Sequence, residues 1–266
     1  MSATCPTISC CPPDSLAYDN SELSLWAIGD YGDGGSDEAA VKALLDADNP
    51  NLIITLGDNS YNGNYATDVN ANYSEWIARS AFYPAPGNHD WDTNNLADYL
   101  TFFTIVNGAR YYRQRLGPVE LFMLDSDPRE PDGTTSSSAQ GQWLQTALSQ
   151  STAPWKIVVC HHPPYSSDVT HGSSVWMQWP FALWSADVVM SGHGHAYERL
   201  VVGTFPYFVG GFSGESLRGF GTPIGSSVVR YNAKFGAIKI VASQNRLSFR
   251  ALSVDGDVID TYKLDK

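Results

Sequence analysis

Between residues 23 and 195 the chain repeats one pattern five times: a short apolar run, then a turn of Gly or Pro with Asp, Asn or His. Leu23-Ser24-Leu25-Trp26-Ala27-Ile28 runs into Gly29-Asp30-Tyr31-Gly32, and Leu52-Ile53-Ile54-Thr55-Leu56 into Gly57-Asp58-Asn59. Phe82-Tyr83-Pro84-Ala85-Pro86 leads to Gly87-Asn88-His89-Asp90. Ile157-Val158-Val159-Cys160 leads to His161-His162-Pro163-Pro164, and Asp187-Val188-Val189-Met190 to Ser191-Gly192-His193-Gly194-His195. Runs this short, apolar and β-branched read as strands buried on both faces.

Helical patterns lie between these strands. Ser36 is placed to cap a helix over Asp37 to Asp46, with Val41, Leu44 and Leu45 on one face. Leu96, Leu100 and Phe103 have helical spacing, as do Trp143, Leu144, Ala147 and Leu148. Strands alternating with helices predict an α/β layered architecture. After His195 the pattern changes to short strands, at 205–212, 227–231, 237–242, 246–252 and 258–264, expected to form a second sheet packed on the first. No long internal repeat or linker interrupts the chain, so residues 22–266 are expected to be a single domain behind a Cys/Pro/Ser-rich extension over 1–21.

Composition excludes several classes. Hydrophobic residues make up 43% of the 266, too many for a disordered chain. No apolar run approaches the roughly 18 residues of a membrane span. With 16 Lys+Arg against 28 Asp+Glu, the formal net charge is −12, and no nucleic-acid binding is expected. No charged and then apolar stretch of signal-peptide type is read after Met1, which leaves a cytoplasmic chain and a mature secreted one both open as expectations. A bridge from Cys5 to Cys10 or Cys11 and a set of free thiols are both open readings, while Cys160 reads as a small buried side chain. Asn72-Tyr73-Ser74 fits the glycosylation pattern, as one site would by chance.

In α/β sheets ligands bind beyond the carboxyl ends of the strands. Here that edge collects Asp30, Asp58, Asn88, His161, His193 and His195. Any one of them is an ordinary turn or structural residue, but five strands delivering such groups to one edge point to metal binding. Oxygen ligands mixed with imidazoles suit Fe, Mn or Zn, and the absence of Cys pairs argues against structural zinc. The set is too large for one ion. Two ions about 3.5–4 Å apart are an arrangement used in phosphoester hydrolysis.

The five blocks, Gly29-Asp30-Tyr31-Gly32, Gly57-Asp58-Asn59-Ser60-Tyr61, Gly87-Asn88-His89-Asp90, Val158-Val159-Cys160-His161 and Gly192-His193-Gly194-His195, resemble in order those of the calcineurin-like metallophosphoesterases. They are most similar to those of the purple acid phosphatases, and weaker similarity covers nearly all the chain after about residue 22. Most members of the wider family carry Asp-x-His in the first block. This chain has Gly32 there and Tyr61 where the purple subfamily places a tyrosinate. The resemblance implies a four-layer αββα sandwich with two packed mixed β-sheets.

It also implies the ligands. Asp30, Tyr61 and His195 would bind a first metal, Fe(III). Asp58 would bridge, and Asn88, His161 and His193 would bind a divalent ion, Fe, Zn or Mn. His89 and His171 would face the phosphate as leaving-group acid or phosphate contact. His171 lies ten residues beyond His161, about one more than the spacing in the mammalian-type enzymes. His162 is read either as a cleft residue or as a solvated loop residue, and Asp90 as a local hydrogen-bonding group. Trp176, Trp179 and Trp184 are expected in the cleft wall or core. The implied activity is hydrolysis of phosphate monoesters at acidic to neutral pH by a metal-bound hydroxide. The alternatives are a phosphodiesterase or nucleotide hydrolase on the same scaffold, and an inactive binding module. The small phosphate ester would be the partner, and a secreted or lysosome- or periplasm-like compartment is what the resemblance favours.

Overall fold

The computed structural model describes residues 22–266. The expected extension and the pairing of Cys5, Cys10 and Cys11 lie outside the described residues. Thirteen strands are present among those described: β1 (Leu23–Ile28), β2 (Leu52–Thr55), β3 (Phe82–Tyr83), β4 (Tyr112–Leu116), β5 (Val119–Met123), β6 (Trp155–Val159), β7 (Val188–Ser191), β8 (Tyr197–Val202), β9 (Phe205–Gly210), β10 (Ser227–Tyr231), β11 (Gly236–Ala242), β12 (Arg246–Ser253) and β13 (Val258–Asp265). They form a six-stranded sheet in the order β13-β12-β11-β1-β2-β3 and a seven-stranded sheet in the order β10-β8-β9-β7-β6-β5-β4. Both are mixed. β1, β2 and β3 run parallel in one, β5, β6, β7 and β9 in the other, and antiparallel strands complete each.

The side-chain alternation of the second sheet explains the layering. Leu121, Met123, Ile157, Val159, Val188, Met190 and Phe208 enter one core together with the first sheet's Leu25, Ile238, Ile240 and Phe249. The intervening residues Phe122, Val158, Val189 and Val209 pack instead with Leu144 and Leu148. Those leucines belong to the helix Ala139–Gln150, whose first turn is capped where Ser138 Oγ accepts from Gly141 N at 3.2 Å. A period of two thus sends alternate residues to the sheet-on-sheet core and to the helix layer. Phe208 stacks on Phe249 at 4.5 Å and joins the two sheets.

Several expectations are corrected. The strands after His195 do not make a sheet of their own. β11 pairs antiparallel with β1, whose hydrogen-bonding groups on that side would otherwise form an open edge, and β8 to β10 extend the sheet of β4 to β7. The strand expected over 82–86 stops at Tyr83, because Pro84 and Pro86 cannot donate to a ladder. The first helix runs Ser36–Asp48 with Gly35, not Ser36, at its N-cap and no side-chain cap. Glu38 serves that end instead, accepting from Gly34 N at 2.9 Å. The helix Ala71–Ala78 and the β4–β5 hairpin were not read from sequence. Asn72 lies in that helix, where its Nδ2 donates to Glu38 at 2.8 Å.

Removing the inter-sheet ring contact should be costly. Phe208→Ala is expected to lower unfolding free energy by about 3–5 kcal/mol, measured by denaturant titration, since the site is closed on both sides by sheets and cannot collapse easily.

Candidate metal centre

The seam between the sheets places the predicted residues. Asp30 follows β1, Asp58 follows β2 and Asn88 lies just beyond β3, all from the first sheet. His161 lies beyond β6 and His193 and His195 beyond β7, from the second. Three of these residues sit in the left-handed region, Asp30 at φ 53°, Asp58 at φ 54° and His193 at φ 65°. For non-glycine residues this conformation costs on the order of 1–3 kcal/mol each and marks functional sites. The neighbouring Gly57 is required for close approach: at φ 93° its missing Cβ would fall 2.4 Å from His161 Nδ1. Gly32 is equally constrained. A Cβ there would lie 1.9 Å from the Asn59 carbonyl oxygen, so no side chain, and no histidine ligand, fits at that position.

The donors gather in two sets. In the first, His195 Nε2 lies 3.3 Å from Asp30 Oδ1, and Tyr61 Oη lies 3.4 Å from both. In the second, His161 Nε2 lies 3.2 Å from Asp58 Oδ2, 3.0 Å from Asn88 Oδ1 and 3.2 Å from His193 Nδ1. The donors of Asp58, His161 and His193 all fall within 4.8 Å of one another. Asp30 Oδ2 ties the sets together by accepting from His193 N at 2.8 Å, and Asp58 Oδ1 accepts from His89 N at 2.9 Å.

The tautomers follow from the acceptors behind the rings. His161 Nδ1 is 2.9 Å from the Leu56 carbonyl and His195 Nδ1 is 2.8 Å from the Ser216 carbonyl. A carbonyl only accepts, so each Nδ1 carries the hydrogen and each neutral ring aims the Nε2 lone pair at oxygen atoms. Lone pairs facing oxygens repel unless a positive charge lies among them. The donor set therefore fits cations of the kind that take imidazole, carboxylate, carboxamide and phenol ligands.

Without a metal, protons take that part. Burial pulls His161 down, but the carboxylates of Asp58 and Asp30 outweigh it and push it up to about 10. Burial opposes ionisation of Asp30, yet the charges of His161 and His195 hold it below the ordinary carboxylate range. His193 is driven down by burial and by the four histidines around it, so it stays neutral. Tyr61 is raised by burial and by Asp30, Asp58 and Glu215. Its phenol ionises only against a strong compensating charge.

The other predicted residues surround this centre. His89 is half-exposed, sets its ring at a tilt 4.4 Å from that of Tyr61 and lies 3.5 Å from Asp92. His162 is buried, bonded to Ser126 Oγ at 3.0 Å and wedged between His193 and Trp176, so it lines the wall and is not a solvated loop residue. Trp176 is 36% exposed on the same wall, whereas Trp179 is core. Asp90 is buried and accepts from Gly87 N, Asn59 Nδ2 and Tyr65 Oη, the local hydrogen bonding expected of it. His171 stacks on His193 at 3.9 Å with Nδ1 3.0 Å from the His193 carbonyl.

Sequence reasoning missed Arg129 and Arg218. Arg129 donates to the Asn88 carbonyl at 3.0 Å and to Asp92 at 2.8 Å, bracing the asparagine and the neighbour of His89. Arg218 Nη1 reaches His171 Nε2 at 2.9 Å. Neither sits in a motif, and both arrive from loops whose path the local sequence does not disclose.

Fold and donor geometry together define a metallophosphoesterase. The calcineurin-like phosphoesterase family matches residues 23–197, and the chain belongs to that family. Among its relatives are purple acid phosphatases. It is 25% identical over 175 residues to purple acid phosphatase 1 of Ipomoea batatas, covering 55% of this chain and 36% of that protein. It is 27% identical over 172 residues to Fe(3+)-Zn(2+) purple acid phosphatase 12 of Arabidopsis thaliana, with the same coverage. The chain thus spans about a third of the length of these relatives. In structure it is similar to a purple acid phosphatase from yellow lupin (Lupinus luteus) seeds, with TM-score 0.76, 18% identity, and coverage of 92% of this chain and 54% of that one.

The protonation of His161 has a measurable sign. Its folded value is raised from 6.5 to about 10, so the stability it contributes is whole below pH 6.5 and is lost as pH climbs toward 10. Denaturation of metal-free protein should show stability falling across that window, and His161→Gln should flatten the fall.

Proposed function

We propose that residues 22–266 form a single domain that hydrolyses phosphate monoesters at a centre of two metal ions. The observation that carries this reading is the division of the donors into two sets, each with an imidazole lone pair held toward oxygen by a carbonyl behind the ring. Asp30, Tyr61 and His195 would hold Fe(III), for which a phenolate is a suitable hard anion. Asn88, His161 and His193 would hold Fe, Zn or Mn as the divalent ion, with Asp58 shared. Bound there, the ions would neutralise phosphoryl oxygens and lower the pKa of water.

The chain's own residues supply the rest. Phosphoryl transfer needs alignment of the ester and a proton for the leaving oxygen. His89 stands at the rim, with Tyr61 against its ring and Asp92 near Nδ1, and would give the proton to the leaving oxygen. Asp92 and Arg129 would keep it there, because Arg129 spans Asp92, Asp127 and the Asn88 carbonyl. The wall of His162 and Trp176 would shield the phosphate from bulk water on the opposite side.

A phosphodiesterase or nucleotide hydrolase would use the same ligands, and comparing p-nitrophenyl phosphate with bis(p-nitrophenyl) phosphate separates these activities. Preferred turnover of the diester would overturn the monoester reading. Protein binding fewer than one ion per chain would favour a binding module without catalysis.

As-purified or iron-loaded protein is expected to show a visible tyrosinate–Fe(III) absorption band that Tyr61→Phe abolishes. A colourless protein holding only zinc would refute the iron assignment. Asp58→Ala is expected to lose both ions together and to lower kcat/KM by at least about a hundredfold, since a direct ligand matters no less than the groups behind it. Retention of two ions per chain with full activity would remove Asp58 from the bridging role.

A further inference from the structure

Arg218 lies in the segment between β9 and β10, and its backbone is fastened on both sides. Its N–H donates to the His195 carbonyl at 2.9 Å, and its own carbonyl accepts from Asn232 Nδ2 at 2.9 Å. The side chain turns to the candidate site, where Nη1 lies 2.9 Å from His171 Nε2. The opposite nitrogen of that ring, Nδ1, is 3.0 Å from the His193 carbonyl. A carbonyl only accepts, so His171 is the Nδ1–H tautomer, and because Nη1 also lies 3.2 Å from Nδ1 the guanidinium nitrogen sits over the imidazole ring. The ring is held through Nδ1 and the guanidinium rests against it.

Arg218 differs from the arginines around it. Arg129 uses Nε, Nη1 and Nη2 on Asp127, Asp92 and the Asn88 carbonyl. Arg110 is paired with Glu130 and Asp132, and Arg199 with Asp260. Among the described residues, Arg218 joins no ion pair, and its Nε and Nη2 donate to no protein acceptor. A partly exposed guanidinium with one edge uncommitted matches a phosphoryl group in fork geometry. It stands one imidazole away from His193, a member of the candidate metal centre, because His171 stacks on that residue at 3.9 Å.

We propose that Arg218, positioned by His171, determines specificity by taking a second phosphoryl group, so that diphosphates are favoured over simple monoesters. This rests on the phosphoester-hydrolase reading above. In the reaction, the oxygen of a water bonds to the terminal phosphorus and the bridging P–O bond breaks. Its electron pair stays on the bridging oxygen, which takes up a proton or leaves as the anion. The products are orthophosphate and the shortened phosphate.

The test is calorimetric titration of metal-loaded protein with pyrophosphate and with orthophosphate, for wild type, Arg218→Ala, Arg218→Lys and His171→Ala. Wild type is expected to prefer pyrophosphate. Arg218→Ala should shrink that preference by about tenfold or more, the range for a hydrogen bond to a charged group. Arg218→Lys, which keeps the charge and loses the fork, should recover only part of it. His171→Ala should lose preference alongside Arg218→Ala, and the double variant should add little, because the two residues act as one. The ratio of kcat/KM for ADP to that for p-nitrophenyl phosphate should fall in parallel. Equal losses for both ligands, or an unchanged preference in Arg218→Ala, would overturn the proposal. Should wild type hydrolyse neither substrate yet bind pyrophosphate through Arg218, the hydrolase reading fails and the anion site stands. Robust hydrolysis with a preference indifferent to Arg218 sinks the anion site alone.

Discussion

Two imidazole nitrogens aimed at oxygen atoms are the constraint on which the rest of the structure depends. His161 and His195 each give the Nδ1 hydrogen to a main-chain carbonyl, of Leu56 and of Ser216, and so point an unshared pair at Asp58 and Asn88 in one case and at Asp30 and Tyr61 in the other. In the neutral rings this sets acceptors face to face, a cost that a proton on His161 or a cation would relieve, and the backbone here is itself strained at Asp30, Asp58 and His193. Three positive-φ residues among the donors and their facing lone pairs set local preference against site geometry here, as at sites that bind ligands.

The same interactions explain why two sheets are needed. Leu56 at the end of the first sheet's β2 accepts from His161 beyond the second sheet's β6. Asp30 beyond β1 accepts from the backbone of His193 beyond β7. The centre is a seam across which each sheet orients the other's donors. The apolar core beneath it, where Phe208 meets Phe249, fixes the relative height of the strand ends. Sliding one sheet by a single residue along the other would move these atoms by about 3.3 Å, more than any bond here tolerates. Core packing and site geometry are therefore one property.

The central strands and the residues beyond them were legible in sequence for a local reason. A strand buried on both faces must be a continuous apolar run, and the turn that follows must carry residues able to take unusual backbone angles. Ile157-Val158-Val159 and Gly57-Asp58 declare themselves this way. The sheet membership of β11 did not, because Gly236–Ala242 is suited to any antiparallel neighbour and its partner β1 lies more than two hundred residues away. The hairpin β4–β5 was missed because Tyr112–Leu116 is an edge strand in which Gln114, at an inward-facing position between exposed Arg113 and Arg115, hides the apolar alternation. The same holds for Arg218, whose contact with His171 spans 47 residues and depends on the course of a glycine-rich loop.

A formal net charge of −12 is awkward for a protein proposed to bind anions, and the geometry resolves the tension. Attraction of a substrate is set by the field at the site, not by the total. That field has two sources of different character. One is exchangeable: cations held by the two donor sets would offset the carboxylates of Asp30 and Asp58. Tyr61 follows the same switch, since burial and the neighbouring carboxylates keep its phenol protonated until a strong positive charge is present. The other is permanent. Arg218 lies at the rim, partly exposed, where salt screens its guanidinium more than it screens the buried donors. In a chain acidic overall, a local positive charge of this kind would act on where the proposed anion settles more than on how fast it arrives.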